Sequence, residues 1–378
     1  MDLSQILENY DPQNLTIASL GGHSALDVCE GAKKHGFKTL VIARKGREKT
    51  YEKYYKTRQD KITGKTIGCV DETITLDKFS DVLSEDVQNE LRKRNAIFIH
   101  NRYFWVYFDD FNQVEQNFKV PIYGTREMLK LEERDVEKNQ YYLMEKAGIR
   151  FPKIYDSPES IDKLCIVKVN EATRSYERAF FLAESPQEYK IKGDEMIKNG
   201  TITAESLKNA VIEEYAIGAH VNFNYFYSPL TDQLELMGTD MRRQTDLDGY
   251  LRMPASVQME ILDHKEPKMI ETGHVTCTTK ESLLEKIFEI GEKFVKTSKE
   301  ECSPGIIGPF ALQGAIIAEE GKEDAVIFDV SMRIPGSPGT RFTPSTSYLY
   351  SKPMSYGERI ALELKYAIKE NKLSEILT

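Results

Sequence analysis

The stretch LTIASLGGHSALDVCEGAKKHGFKTLVIARKGREK, residues 15–49, changes its apolar periodicity twice, and that restricts what the chain can fold into. Residues 15–20 form a short β-prone apolar run, Ala25, Leu26, Val28, Cys29 and Ala32 recur at helical spacing until Gly36, and residues 39–43 are apolar again. Two buried strands joined through a helix make a βαβ unit of roughly 30 residues, whose strands run parallel. At the first junction stands Gly21-Gly22-His23-Ser24. Ser24 with Asp27 three positions later fits a capping box, while the glycine pair turns the backbone sharply and leaves amide N–H groups uncovered at the helix start. Such a terminus attracts anions, phosphate above all. The GxGxxG fingerprint is absent, so a monophosphate is expected rather than a pyrophosphate. A glycine pair before a helix is often only a tight turn, and an isolated histidine is often structural. Together they suit a phosphate, to which an imidazole at the mouth of the turn can donate.

Further along, AIFI (96–99) reads as a third buried strand, 120–123 as a fourth, and 126–147 as a helix closed by Gly148. Residues 1–125 thus form a small parallel α/β domain. The pattern then changes. CIVKV (165–169) and RAFFLA (178–183) make a strand pair, 190–210 is mostly helical, and VIEEY (211–215), HVNFNYFYS (220–228) and LELMGTDMRR (234–243) are strands. Alternation in VNFNYFY suits a half-buried antiparallel strand. A helix over 280–299, a hairpin of 310–319 with 325–333, and a last helix over 355–369 complete a mixed α+β region.

A chain of 378 residues exceeds one core, so two or three domains are expected. A net charge of −9 disfavours nucleic acid as a partner, because duplex binding needs a basic face. With no apolar run of about 18 residues, no membrane partner is expected. The start MDLSQILENYDPQN lacks the basic and apolar parts of a signal peptide, which predicts a cytoplasmic protein. Five scattered cysteines without a CxxC pair argue against a disulfide framework and a zinc site.

Three features of the second region belong together if it binds ATP. Lys168 lies in a central strand, where a buried ammonium needs an anion. Glu213 and Glu214 end the strand of VIEEYAIG, where backbone groups and a carboxylate can meet adenine and ribose. Gln313 and Asp329 sit on the two strands of the hairpin, hard oxygen ligands suited to Mg²⁺. Each alone has an ordinary reading as a snorkelling lysine, a solvated glutamate pair or a surface aspartate. In this order they resemble the ATP-grasp superfamily. Longer stretches, GGHSALDVCEGAKKHGFKTLV, EEYAIGAHVNFNYFYSPLTDQLELMGTDMRRQTDLDGYLRMPA, GIIGPFALQ, FDVSMRIPGSPG and MSYGERIALELKYAI, are similar to the archaeal formate-dependent AICAR ligase family, PurP, from about residue 15 to 370.

The resemblance implies an α/β fold: a small parallel N-terminal domain of Rossmann-like, pre-ATP-grasp type over 1–125, then α+β ATP-grasp subdomains over 126–210 and 211–378. It implies ATP as co-substrate with Mg²⁺ or Mn²⁺. ATP phosphorylates formate, and the amine of AICAR attacks the formyl phosphate to give FAICAR, ADP and phosphate. By matching motifs, His23 with Gly22 and Ser24 would contact the acceptor. Lys168, Glu213, Glu214, Tyr215 and Asn222 would serve ATP, and Gln313 and Asp329 the metal. Arg242, Arg243 and Arg333 would clamp formate or the developing oxyanion, although neighbours on a strand point opposite ways, so one of the first two faces the site. Relatives suggest a homo-oligomer, trimer or hexamer.

Three departures from the family pattern touch ligand loops. Where relatives often read Pro-His-Gly-Ser, with the serine on the acceptor, this chain reads His100-Asn101-Arg102-Tyr103. Asp246 stands where an asparagine is expected, and an ionised carboxylate cannot donate to a carboxamide. NEATRSYERAFF lacks the glycine-rich loop of many relatives, leaving Arg174 and Arg178 to serve phosphate. Tyr103 and Asp246 therefore become substrate-binding positions that motivate a second reading, an ATP-grasp ligase with another acceptor or acid. A third reading is a non-catalytic nucleotide-binding paralogue.

Overall fold

The computed structural model describes residues 3–108, 111–133, 136–169, 179–265, 270–319 and 321–378. A short helix α1 (Leu3–Leu7) precedes the fully buried strand β1 (Thr16–Leu20), helix α2 (Ala25–Lys34) and β2 (Lys38–Arg44). A small hairpin, β3 (Arg58–Gln59) with β4 (Thr66–Ile67), leads to β5 (Glu72–Leu76), α3 (Glu85–Lys93), β6 (Ala96–Ile99), α4 (Tyr103–Val106) and β7 (Ile122–Tyr123). The sheet runs β5-β2-β1-β6-β7 with every pair parallel. From β1 the chain moves outward to β2 and β5, then returns to the other side of β1 for β6 and β7. The carboxyl ends of β1 and β6 thus flank the point where strand order reverses, the place at which open α/β sheets bind ligands.

The segment expected as one helix over 126–147 is instead a 3₁₀ turn (Arg126–Glu132) and helix α5 (Gln140–Lys146). The break has a physical cause. Strand β16 (Lys322–Ser331) is the edge of the third sheet, and its outward amides need acceptors. Gln140 Oε1 accepts from Val330 N (2.7 Å) and Glu132 Oε1 from Met332 N (2.6 Å), while Gln140 Nε2 donates to the Glu132 carbonyl (3.0 Å). Two buried polar side chains thus cover a strand edge, which a continuous helix would not allow.

A four-stranded antiparallel sheet follows, ordered β10 (Ala179–Ala183), β9 (Cys165–Val169), β11 (Val211–Glu214), β8 (Ile154–Tyr155), with α6 (Pro186–Lys198) and α7 (Ala204–Lys208) joining β10 to β11. The third sheet, also antiparallel, is ordered β14 (Glu271–Cys277), β13 (Gln233–Gln244), β12 (Ala219–Ser228), β15 (Gly308–Glu319), β16. Short helices α8 (Leu247–Tyr250) and α9 (Ala255–Leu262) lie between β13 and β14, and α10 (Leu284–Glu301) covers one face. Strand β12 is buried on both faces from Val221 onward, not on one as its alternation suggested. Val221, Phe223 and Tyr225 enter the core beneath α10, whereas Phe226, on the opposite face, joins Met237, Ile307 and Ile334 in the core of the first domain.

After α11 (Ser345–Tyr350), the last helix α12 (Tyr356–Lys369) returns to the first sheet. It crosses α2 backbone to backbone: a Cβ on Gly31 would lie 2.0 Å from the Gly357 carbonyl carbon, and one on Gly357 1.9 Å from the Asp27 carbonyl oxygen. Asp27 accepts from Gly357 N (3.0 Å) and so does not complete the capping box expected with Ser24. Arg359 of α12 donates to Glu235 of β13 (2.8 Å) and Glu363 (2.8 Å), its guanidinium 4.1 Å from the Phe226 ring centre. The final residues pair with β7, Thr378 N donating to Ile122 O (2.8 Å). First and third sheets are therefore bound together by the end of the chain.

Candidate functional site

Where the carboxyl ends of β1 and β6 meet the face of the third sheet, a polar cleft opens, lined by His23 and Arg102 on one side and Arg242, Gln313 and Arg333 on the other. His23 stands at its edge with φ 51°, a positive φ that few non-glycine residues adopt and histidine more readily than most. Two hydrogen bonds hold it there. Ser24 Oγ donates to the Pro335 carbonyl (2.7 Å) and lies 2.9 Å from His23 Nδ1. A hydroxyl that has given its proton to Pro335 can only accept from Nδ1–H, so Nε2 is left as an acceptor. Burial, then the nearby Arg333 and Arg102, hold the imidazole well below its usual pKa and keep it neutral at pH 7. His23 therefore offers a lone pair, whereas its position before the helix had suggested a donor. Gly336 makes room for the ring, since a Cβ there would lie 2.6 Å from Nε2.

Gly22 (φ 138°) is covered by the Tyr103 ring, which a Cβ on Gly22 would meet at 1.9 Å. Tyr103 packs with Phe79 and Tyr107, ring centres 5.5 and 5.4 Å away. The phenol at the family's serine position thus lies beneath the turn, in an aromatic cluster. Asn101 is buried and donates to Ser19 Oγ (3.2 Å) and Leu20 O (2.9 Å), aligning β6 with β1. Arg102, between them, reaches the cleft.

On the third sheet, Arg242 and Arg243 point opposite ways. Arg242 lines the cleft, its Nη2 donating to Gln313 Oε1 and lying 3.9 Å from Asp329 Oδ2, its Nε 3.4 Å from Glu271 Oε2. Arg243 is half-exposed, 3.5 Å from Asp248. Gln313 and Asp329 are direct cross-strand partners beside a bulge in β15–β16. Two hard oxygens converging on one guanidinium nitrogen define a point where positive charge is held. A Mg²⁺ that shares its shell with substrate phosphates needs only one or two such protein ligands, so the pair fits a divalent cation. Among the described residues no group of three or more His, Cys, Asp or Glu gathers as a metal cage.

Three residues that the sequence reading did not single out complete this wall. Asp240, fully buried, accepts from Asn222 Nδ2 (2.8 Å), Asn224 Nδ2 (2.6 Å) and His274 Nδ1. His274 Nε2 is 3.0 Å from Glu271 Oε1. Burial opposes charge on His274, yet the bonds to Asp240 and Glu271 outweigh it and push the imidazole up to about 9. Glu271, against the same desolvation, is drawn down to about 2 by His274 and Arg242. His274 is thus an imidazolium with both nitrogens engaged, a fixed positive charge and not a base. An aspartate in the central run LELMGTDMRR was the available signal, because burying it needs partners as much as burying Lys168 does.

The nucleotide candidates lie on the adjoining four-stranded sheet. Lys168 Nζ binds Glu213 Oε2 at 2.5 Å, and Tyr141 donates its hydroxyl to the other Glu213 oxygen. Lys168 Nζ is 5.9 Å from the ring centre of Phe328, the neighbour of Asp329 on β16. Glu214 turns outward to Lys163 (3.3 Å), and Tyr215 N donates to Leu164 O (3.0 Å). Asn222 lines the cleft and donates to the buried Asp240 behind it. Asp246, at φ 58° and ψ −50°, precedes α8 without a side-chain capping bond and pairs with Lys265 (3.3 Å) outside the cleft lining. Arg174 and Arg178 lie outside the described residues.

Residues 17–155 match a family model described as a protein of unknown function, DUF1246, and residues 188–378 one described as a domain of unknown function, DUF1297. The 5-formaminoimidazole-4-carboxamide-1-(beta)-D-ribofuranosyl 5'-monophosphate synthetase of Methanobrevibacter smithii is 39% identical over 380 residues, covering 100% of this chain and 98% of that one. Its counterpart in Methanocaldococcus jannaschii is 37% identical, with coverage of 100% and 99%. A crystal structure of an IMP biosynthesis protein PurP from Thermococcus kodakaraensis matches with TM-score 0.68 and 25% identity, over 96% of this chain and 100% of that one. N5-carboxyaminoimidazole synthetase from Staphylococcus aureus, 13% identical over 94% of this chain and 79% of its own, has the same fold at TM-score 0.56. The fold is ATP-grasp, and the chain belongs to the PurP family of 5-formaminoimidazole-4-carboxamide ribonucleotide synthetases.

Proposed function

We propose that the protein is an ATP- and formate-dependent ligase that formylates the amine of AICAR to FAICAR through formyl phosphate, a step of purine biosynthesis. One observation carries the reading: His23, at the switch point of the first sheet, and Gln313 of the third line one arginine-rich cleft, with Asp329 the cross-strand partner of Gln313 and 3.9 Å from Arg242. A ribonucleotide phosphate and a nucleotide triphosphate can therefore approach each other there.

Lys168 draws the ATP phosphates toward the cleft, while Glu214 and Tyr215 border the nucleoside. Gln313 and Asp329 hold Mg²⁺ or Mn²⁺, which when bound neutralises charge on the transferring phosphoryl group. A formate oxygen takes the γ-phosphoryl group and ADP departs; the acceptor nitrogen then attacks the formyl carbon, the C–O bond to phosphate breaks and the nitrogen loses a proton. Arg242 and Arg333 stabilise the oxyanion of that addition. The neutral His23, with Nε2 free to accept, suits a ribose hydroxyl or the departing amine proton better than a phosphate oxygen. Arg243, turned to Asp248, is left outside these roles.

The second reading, another acceptor or acid, is motivated by Tyr103 and Asp246, and by Arg102, which adds a cation to the cleft lining. A non-catalytic role is disfavoured by the conjunction of Lys168, Asp329 and Arg242. The assembly proposed is a trimer or hexamer, to which the exposed Leu251, Met259, Phe342 and Tyr348 lend support as contact residues between copies. Among the described residues no helix is long and apolar enough to cross a membrane. Incubation with ATP, Mg²⁺, formate and AICAR, following ADP and formylated product, tests the proposal. ADP release only with a different amine or acid favours the second reading, and ATP binding without turnover removes the enzyme reading.

A further inference from the structure

Arg102 has no hydrogen-bond or ion-pair partner among the described residues, although its guanidinium is largely enclosed and reaches the cleft. Its neighbour across the cleft is scarcely better served. Arg333 makes one long bond, Nη1 to Ile334 O at 3.4 Å, its Nη2 lies 3.6 Å from Glu132, and its buried Nε has no partner. The carboxylates within reach are committed elsewhere. Glu271 is held by His274 and Arg242, Asp329 faces Arg242, and Glu132 gives Oε1 to Met332 N, which leaves Arg333 only the more distant Oε2. Burial also raises the pKa of Glu132, which weakens it as a counter-ion, while burial and then the repulsion from Arg333 and Arg242 lower that of Arg102. Two under-bonded guanidinium groups of like charge, facing one cleft, store an unfavourable interaction that an anion between them removes.

We propose that Arg102 and Arg333 together seat one small oxyanion, a carboxylate or a phosphate group. Arg102 follows β6 of the first sheet and Arg333 follows β16 of the third, so the bound anion links the two walls of the cleft by charge-assisted bonds to each. The physical argument stands without the ligase reading. Only the source of the anion, the acid's carboxylate or the ribonucleotide's phosphate, rests on it.

Arg102→Gln and Arg102→Lys test the seat. Without added anion, the thermal midpoint of Arg102→Gln is expected at or above that of the wild type, because a repelled cation has been removed. Inorganic phosphate or formate is expected to raise the wild-type midpoint, to leave Arg102→Gln unmoved, and to act partly on Arg102→Lys. In turnover, Arg102→Gln raises the KM for formate or for AICAR by about 10- to 100-fold, and whichever rises names the source. The proposal is overturned if Arg102→Gln responds to both anions as the wild type does, or if its midpoint without anion falls well below wild type. Absence of formylated product from the wild type would sink the ligase reading alone, since the anion-dependent midpoints would still be measured.

Discussion

Replacing His274 by glutamine isolates the charge cluster that forms one wall of the cleft. His274 sits between Asp240 of β13 and Glu271 of β14, the latter also drawn by Arg242 and Arg102, and its side chain is only 13% exposed. Its pKa is pushed up to about 9 from an unfolded value near 6.5. Between those pH values the folded protein holds a proton that the unfolded chain has released, so stability falls by about 1.4 kcal/mol per pH unit. The contribution is fully present below pH ~6.5 and is lost as pH rises through about 9, a total of about 3 kcal/mol. Glutamine keeps a donor for Asp240 but cannot titrate. Urea unfolding followed by circular dichroism at pH 6.5, 7.5, 8.5 and 9.5 gives the difference between wild type and His274→Gln. Other groups titrate in both proteins and cancel, so this difference is expected to shrink by about 3 kcal/mol across the series. A difference that stays constant within ~0.5 kcal/mol would refute the reasoning, because it would mean that His274 binds no extra proton in the folded state.

Three further outcomes are expected. Gly31→Ala places a methyl group inside the α2–α12 crossing, 2.0 Å from backbone, and should lower stability by about 3 kcal/mol in the same unfolding assay. Asp329→Asn should lower Mg²⁺-dependent turnover about a hundredfold while leaving the thermal midpoint near wild type, since the carboxylate lies at the cleft and not in a core. His23→Ala should raise the KM for the acceptor about tenfold with little change in that for ATP; acceptor kinetics equal to wild type would remove His23 from the site.

Local periodicity determined much of the architecture. The βαβ opening, the strands 96–99 and 165–169, the β15–β16 hairpin and the last helix follow from alternation, helical spacing and turn residues, because these signals act over a few residues. Of the candidates, Lys168 follows from a related reason, since an ammonium on an apolar strand demands a partner, which is Glu213; His23 is singled out by turn chemistry, Gln313 and Asp329 as paired hard oxygens, and Arg242 with the family resemblance. Parity along a strand even separated Arg242 from Arg243, though not which of them would face inward.

Tertiary structure alone decided what completes those demands. Nothing local to residues 126–147 announces that Glu132 and Gln140 will cap the edge of a strand almost two hundred residues away, and so break a helix that propensity favours. Gly31 and Gly357 look like ordinary helix glycines until the two helices are seen to touch at them. The same holds for the cleft. Arg102 belongs to a loop of the first sheet and Arg333 to the end of the third, and they come to face one cleft only once α12 and the final residues draw the two sheets together. The sequence by itself determined which elements form and which residues carry charge; the long-range packing decided which charges face one another, because an electrostatic interaction depends on distance in space and not along the chain.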